Sequence, residues 1–208
     1  MSQSHSGGAN GGDRIRLVME LRRAGIEDTA VLSAIERLPR AAFVSDAEQA
    51  RAWDDVALAG LPRPLHAATY LRALALGGRE RVLQVPTGSG YLAALVAGSC
   101  RMLYTVDERR QRQSAEAHIR ALKVRNVVGK DGDPLAGWPD QAPFDRILLD
   151  GVVPTIPTAL LSQVRDGGSM VLALGDDRLA TITRIARTGG EYESESILRT
   201  SFALLARH

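Results

Sequence analysis

The run Val82-Leu83-Gln84-Val85-Pro86-Thr87-Gly88-Ser89-Gly90-Tyr91-Leu92-Ala93-Ala94-Leu95 constrains the fold more than any other stretch. It predicts an apolar strand, a loop with two glycines, and a helix that starts at once. Glycine adopts backbone conformations other residues avoid and lets a ligand approach the main chain closely. A helix N-terminus leaves N–H groups without intrahelical partners. Together these hold a nucleotide-like ligand at the carboxyl end of a first strand. The glycine pair alone is weak evidence, because the same residues also make a tight strand-to-helix turn.

The next strand strengthens the reading. It ends in Tyr104-Thr105-Val106-Asp107-Glu108, so an acid stands at its tip. Asp107 there is placed to accept hydrogen bonds from a ribose diol. It also suits the cap of the helix that Glu108 begins, and one carboxylate can serve both purposes. Asp131 and Gly132 follow a third strand. Asp131 suits an adenine amino group, and equally a plain Asp-Gly turn. All three loops fit one crevice at the ends of adjacent parallel strands.

The texture of the chain changes near residue 79. Residues 1–12 are small and polar and predict a disordered tail. Residues 13–78 predict a helical subdomain: one helix capped by Asp13 and stopped by Gly25, a second starting at Asp28-Thr29 and ended by Pro39, and a third over Ala47 to Trp53. Val56 to Pro64 predicts a loop, and Tyr70 to Leu76 a further helix. From 79 to 208, strands are expected at 81–85, 102–106, 126–129, 144–150, 169–174 and 196–205. Helices are expected at 91–97, 110–122 and 158–164. Period alone leaves 179–187 open between helix and strand. The alternation predicts a doubly wound parallel sheet. Gly189-Gly190 predicts an antiparallel hairpin at one edge.

Composition removes several classes. Of 208 residues, 26 are Lys or Arg and 24 Asp or Glu, which leaves a formal charge of +2. That is not the clustered excess of a nucleic-acid binder, and the Arg-rich stretches 14–23 and 109–120 read as solvated helix faces. One cysteine, Cys100, excludes a disulfide framework within the chain. No apolar run is long enough for a bilayer and the first residues lack the core of a signal peptide, so the expected location is the cytoplasm.

With these features placed, residues 17–205 resemble the protein-L-isoaspartate O-methyltransferases, which are class I S-adenosylmethionine-dependent enzymes. The resemblance rests on LRRAGIEDTAVLSAIERLPRAAFV (21–44), the aromatic-Asp-Asp step at Trp53-Asp54-Asp55, and the loop VLQVPTGSGYLAALVA (82–97). TVDE, DGDPLAGWPDQAPFDRI (131–147) and VPTIPTALLSQVRDGGSMVLALG (153–175) follow in the family's order. It implies a Rossmann-like α/β fold with a mostly parallel seven-stranded sheet, an antiparallel edge hairpin and N-terminal helices. It implies S-adenosyl-L-methionine as cofactor, held by Gln84, Pro86, Thr87, Gly88, Ser89, Gly90, Asp107, Glu108, Asp131 and Gly132. The implied partner is a protein or peptide bearing a carboxylate, met near Asp54, Arg63, His66 and Ala67. Protein repair is the implied role, and a monomer or weak dimer the expected state.

The sequence departs from the family at three places. Gln84 and Pro86 replace the acid and the first glycine of the usual cofactor loop. Read without gaps back from Tyr70, the family's substrate-loop serine and glutamine fall on Ala67 and Ala68. Asp150 stands where a small or hydroxylated residue is usual. His66 and Asp150 are the catalytic candidates. The departures keep two alternatives open: methylation of another acceptor, or a non-catalytic binding module.

Overall fold

The computed structural model describes residues 7–202 apart from 177, with side chains from residue 11 onward. Six helices and seven strands are assigned among them: α1 (Gly7–Arg23), α2 (Thr29–Arg37), α3 (Pro64–Leu74), β1 (Arg81–Val85), α4 (Tyr91–Ala97), β2 (Met102–Asp107), α5 (Arg109–Ala121), β3 (Val127–Asp131), β4 (Phe144–Val153), α6 (Thr158–Leu161), β5 (Val164–Gly175), β6 (Ala180–Thr188) and β7 (Glu191–Thr200). One sheet holds all seven strands in the order β3-β2-β1-β4-β5-β6-β7. Neighbours from β3 to β5 run parallel, and β6 runs antiparallel to both β5 and β7.

The order reverses direction between β1 and β4, and such a switch point opens a crevice at the carboxyl ends of the two strands. Val85 pairs with Leu149, so the glycine loop leaves β1 beside Asp150 of β4. Strands buried on both faces need apolar residues in succession. Ile147, Leu148 and Leu149 supply them in β4. One face carries Val82 and Leu148 against Leu32, Leu74, Leu92 and Ile119 of the larger helices. The other carries Leu83, Ile147 and Met170 against Phe144 and Leu160.

Local chemistry sets the ends of these elements. Asp28 caps α2 by accepting the N–H groups of Ala30 (2.8 Å) and Val31 (3.1 Å). Pro64 occupies the first turn of α3, where its missing N–H costs nothing.

The structure corrects several expectations. α1 already begins at Gly7, so residues 7–12 are helical and Asp13 lies inside the helix rather than capping it. Asp13 pairs instead with Arg16 one turn on, at 3.4 Å. Residues 1–6 lie outside the described residues. The segment 47–53 is a short 3-10 stretch, Asp46–Arg51. Of the expected substrate loop at 63–69, only Arg63 stays outside the helix; residues 64–69 are the first half of α3, because buried Ala67, Ala68 and Leu71 give it a helical apolar face. Residues 179–187 resolve as strand β6, whose long antiparallel ladder with β5 settles what period alone could not. The last strand runs from Glu191, five residues before the expected start at Ser196. The part of that expectation beyond Phe202 lies outside the described residues.

Candidate active site

A cleft of about 530 Å³ opens over the glycine loop at the carboxyl ends of β1 and β2. Pro86, Gly88, Ser89, Asp107 and Glu108 form its floor and one wall. The opposite wall comes from Gln111, Ser114 and His118 of α5, and Phe43, Ala59, Gly60 and Pro134 complete the rim.

The loop conformation follows from its glycines. Gly88 and Gly90 have φ of 57° and 86°, in the region that disfavours side chains. A Cβ on Gly90 would meet the Ala115 carbonyl oxygen at 3.0 Å, so α5 can lie against the loop only because this residue has none. Asp107 fixes the loop from the second strand. One carboxylate oxygen accepts the Gly88 N–H (3.0 Å) and the other the Glu108 N–H (2.8 Å). Asp107 is thus almost fully buried and already hydrogen-bonded, with lone pairs left over for a ligand. Gly132 ties the third loop to the second by donating its N–H to the Asp107 carbonyl at 3.1 Å.

The remaining cofactor candidates divide. Gln84 is fully buried; its amide nitrogen donates to the Pro86 carbonyl at 3.4 Å, and its Oε1 has no partner among the described residues. Thr87 turns away from the cleft and lines a second slot behind the loop with Thr105 and Gly129. Asp131 does not line the cleft. Arg112 (2.6 Å) and Arg109 (3.0 Å) hold its two oxygens, and Arg112 foremost keeps its carboxyl below the usual carboxylate range. The charged side of α5 therefore claims the residue first considered for adenine.

The candidates for substrate contact do not converge. Asp54 is ion-paired with Arg16 at 3.0 Å. Arg63 is bound to Asp55 at 2.5 Å, and the other Asp55 oxygen takes the Leu65 N–H. Ala67 is completely buried in α3. His66 is buried too, not in an open loop: its Nε2 lies 3.2 Å from the Thr200 hydroxyl and its ring stacks on Phe202 at 4.3 Å. Burial, with a smaller contribution from Arg63, lowers its pKa to about 4. A group this hard to protonate is a packing histidine.

That burial has a consequence for stability. Above pH 6.5 His66 is neutral folded and unfolded. As pH falls from 6.5 towards 4 the unfolded chain takes up the proton first, so stability is lost across that window, by up to about 3 kcal/mol. Denaturant unfolding at pH 7.5 and pH 4.5 should show a smaller acid loss in His66→Gln than in the parent. Equal losses would mean His66 protonates freely in the fold.

Several residues escaped the sequence reading. His118 borders the cleft, its Nδ1 3.0 Å from the Ser89 carbonyl oxygen, whereas His66 does not line it. Phe43 packs edge-on against both His118 and Tyr91. Gln111, Ser114 and His118 stand three and four apart on one helix face, a spacing that was visible but looked like ordinary solvated polarity. Arg40 is fully buried and donates to the carbonyls of Ala52 (3.0 Å), Asp54 (3.3 Å), Val56 (2.7 Å) and Pro62 (3.0 Å). It organises the segment that brings Gly60 over Ser89. Among the described residues no group of His, Cys, Asp and Glu could hold a metal ion, and no helix is long and apolar enough to cross a membrane.

Comparison with known proteins agrees with this architecture. Residues 13–207 match the family profile described as protein-L-isoaspartate(D-aspartate) O-methyltransferase. A protein-L-isoaspartate O-methyltransferase of Paramagnetospirillum magneticum is 45% identical over 168 residues, covering 78% of each chain. One from Parvibaculum lavamentivorans is 38% identical over 205 residues, covering 93% of this chain and 91% of that protein. Among solved structures, a protein-L-isoaspartate O-methyltransferase superposes with a TM-score of 0.75 at 19% identity, over 93% of this chain and 66% of that one. A Plasmodium falciparum protein assigned to the same family, solved with S-adenosyl-L-homocysteine, gives 0.73 at 17% identity over 93% and 98%. A glycine-loop cleft at the carboxyl ends of β1 and β2 of a seven-stranded sheet, in a chain matched nearly end to end by one family, places it: the chain belongs to the protein-L-isoaspartate(D-aspartate) O-methyltransferase family.

Proposed function

We propose that the chain transfers a methyl group from S-adenosyl-L-methionine to the free carboxylate of isoaspartyl residues in proteins and peptides, a step in repair of damaged protein. The observation that supports it most is the cleft itself: a side-chain-free glycine loop held by the Asp107 carboxylate at the ends of β1 and β2. The residues present fit the cofactor. Gly88 lines the cleft without a side chain, Gly90 lets α5 lie against the loop, and Asp107 and Glu108 offer acceptors for sugar hydroxyls. Phe43 and Pro134 offer apolar surface. Gln84 carries a buried unpartnered oxygen where the family has an acid, so a hydrogen-bond acceptor is retained without its charge.

When bound, the cofactor supplies a methyl carbon on a positively charged sulfur. An acceptor carboxylate is already a nucleophile, so the protein need not remove a proton from it. The work left to this chain is to hold acceptor and methyl carbon in line and to exclude water. The buried position of His66 agrees with a site that needs no histidine base.

A second reading is favoured by one observation. Ala67 and Ala68 are buried apolar residues of α3, where the family's loop offers a hydroxyl and an amide. The acceptor then differs from isoaspartate, or the chain only binds. Transfer of labelled methyl to an isoaspartyl peptide, with the matching aspartyl peptide as control, separates the readings. Turnover of the isoaspartyl form alone is expected. Cofactor binding without turnover of that peptide would shift the assignment to the second reading.

A further inference from the structure

A second pocket, of about 370 Å³, lies behind the glycine loop, between α5 and the β2–β3 side of the sheet. Arg120, Lys123 and Arg125 border it. All three are exposed, and no ion pair engages any of them among the described residues. Arg120 stands in the last turn of α5, where a cation offsets the helix dipole. Lys123 and Arg125 follow the helix and bring two more positive charges to the same opening. Among the described residues the one acid in the lining is Glu116, and Arg112 already engages its carboxylate. Like charges gathered at one opening repel each other, and an anion between them removes that cost.

The inner wall is polar. Thr87 is 2% exposed, and its hydroxyl has no partner among the described residues. Buried polar groups are normally paired, so an orphan in a pocket wall points to a missing ligand. Thr105 supplies a second hydroxyl, in register with Gly129 of β3. A Cβ at Gly129 would meet that hydroxyl at 3.0 Å, so the glycine leaves the way to it open. Two guanidinium forks, an ammonium and hydroxyl donors suit phosphoryl or carboxyl oxygens. The volume is at the low end for small-molecule sites.

We propose that this pocket is a second site, for a small multivalent oxyanion bearing phosphoryl or carboxyl groups, and that its occupant braces the cofactor loop from behind. Thr87 is the link. Its neighbours Pro86 and Gly88 line the cofactor cleft, while Thr87 lines the rear pocket. An anion oxygen that accepts from the Thr87 hydroxyl fixes the residue next to Gly88, whose N–H is held by Asp107. A loop ordered in advance costs less to order when the cofactor binds, so the two ligands tighten each other by the same factor.

The test is calorimetric titration of the chain with pyrophosphate and, separately, with citrate, at about 0.1 M ionic strength, without and with saturating S-adenosylhomocysteine. Pyrophosphate stands for phosphoryl ligands and citrate for carboxyl ones, and the tighter of the two names the source. One saturable site is expected, with Kd below about a millimolar, and it should persist when the cofactor cleft is full. Arg120→Gln with Arg125→Gln should weaken it about tenfold or more, while S-adenosylhomocysteine alone binds as it does to the parent. The bound anion should tighten S-adenosylhomocysteine about fivefold in the parent, and not in Thr87→Val. No heat with either anion up to about 10 mM would overturn the site. So would binding that saturating S-adenosylhomocysteine displaces, or that the double variant leaves intact. Equal S-adenosylhomocysteine affinity with and without the anion would overturn the bracing. The titration without cofactor reads the site whatever the outcome for methyl transfer.

Discussion

Arg40→Met is expected to lower the unfolding free energy by on the order of 3–5 kcal/mol, the largest effect of any single substitution considered for this chain. The guanidinium is fully buried and satisfies four main-chain carbonyls between Ala52 and Pro62. Burial itself lowers its pKa, partly offset by Tyr91 and by the acids of the same region. Methionine fills comparable space and donates nothing, which takes the donor away from the buried carbonyls of Ala52 and Pro62 and from the part-buried Val56, while Asp54 keeps the Val56 N–H at 2.8 Å. Lysine should not rescue it, because a single ammonium cannot span acceptors that a planar fork holds. The effect should extend to the site. The segment under Arg40 carries Gly60, whose Cα approaches Ser89 closely enough that a Cβ would touch at 3.7 Å. Loosening it uncovers the glycine loop, so cofactor affinity should fall along with stability. Urea unfolding measures the first and calorimetry the second. A loss below about 1 kcal/mol would mean the carbonyls find other partners.

Asp107→Ala is the second large effect and acts on binding. The carboxylate holds the Gly88 and Glu108 N–H groups, and both lose their acceptor in the variant. Hydrogen bonds to a charged group contribute about 1.5–3 kcal/mol, which corresponds to about 10- to 150-fold weaker cofactor binding. Asp107→Asn keeps one oxygen for Gly88 and should lose less. Affinity for S-adenosylhomocysteine within twofold of the parent in Asp107→Ala would show that the loop holds its shape without the carboxylate.

The parts of this molecule that were legible in the sequence share one property: the local pattern and the tertiary environment ask for the same thing. Val82, Leu83 and Val85 of β1 and all of Tyr91–Ala97 are apolar or aromatic and sit at the centre of the sheet and its cover, so the limits 81–85 and 91–97 are recovered residue for residue. Asp28 and Pro39 mark the limits of α2 by chemistry that needs no partner from elsewhere. The segment Arg63 to Thr69 was misjudged because Gly60, Pro62 and Pro64 are turn residues. Pro64 instead opens α3, and the helix is held by what it buries. Leu179 to Arg187 has no decisive period because β6 is chosen by its partner strands.

The site was legible where backbone geometry makes it, and poorly where side chains from distant segments do. The glycines, Asp107 and Glu108 are consecutive with their strands, so reading two strand ends was enough to bring them together. Arg40, Phe43 and His118 depend on how the N-terminal helices and α5 dock, which spacing does not encode. Asp131 had the right residue type at the right strand end, yet two arginines of α5 engage it. His66 looked like a loop histidine until α3 and the end of β7 closed around it.

The most direct test of the account is calorimetric titration of the purified chain with S-adenosylmethionine and S-adenosylhomocysteine. One site per chain is expected, with Kd on the order of micromolar, about −8 kcal/mol, weakened in Asp107→Ala. No heat up to millimolar ligand would contradict it, and would mean that Gln84 and Pro86 have closed a cleft the fold still carries.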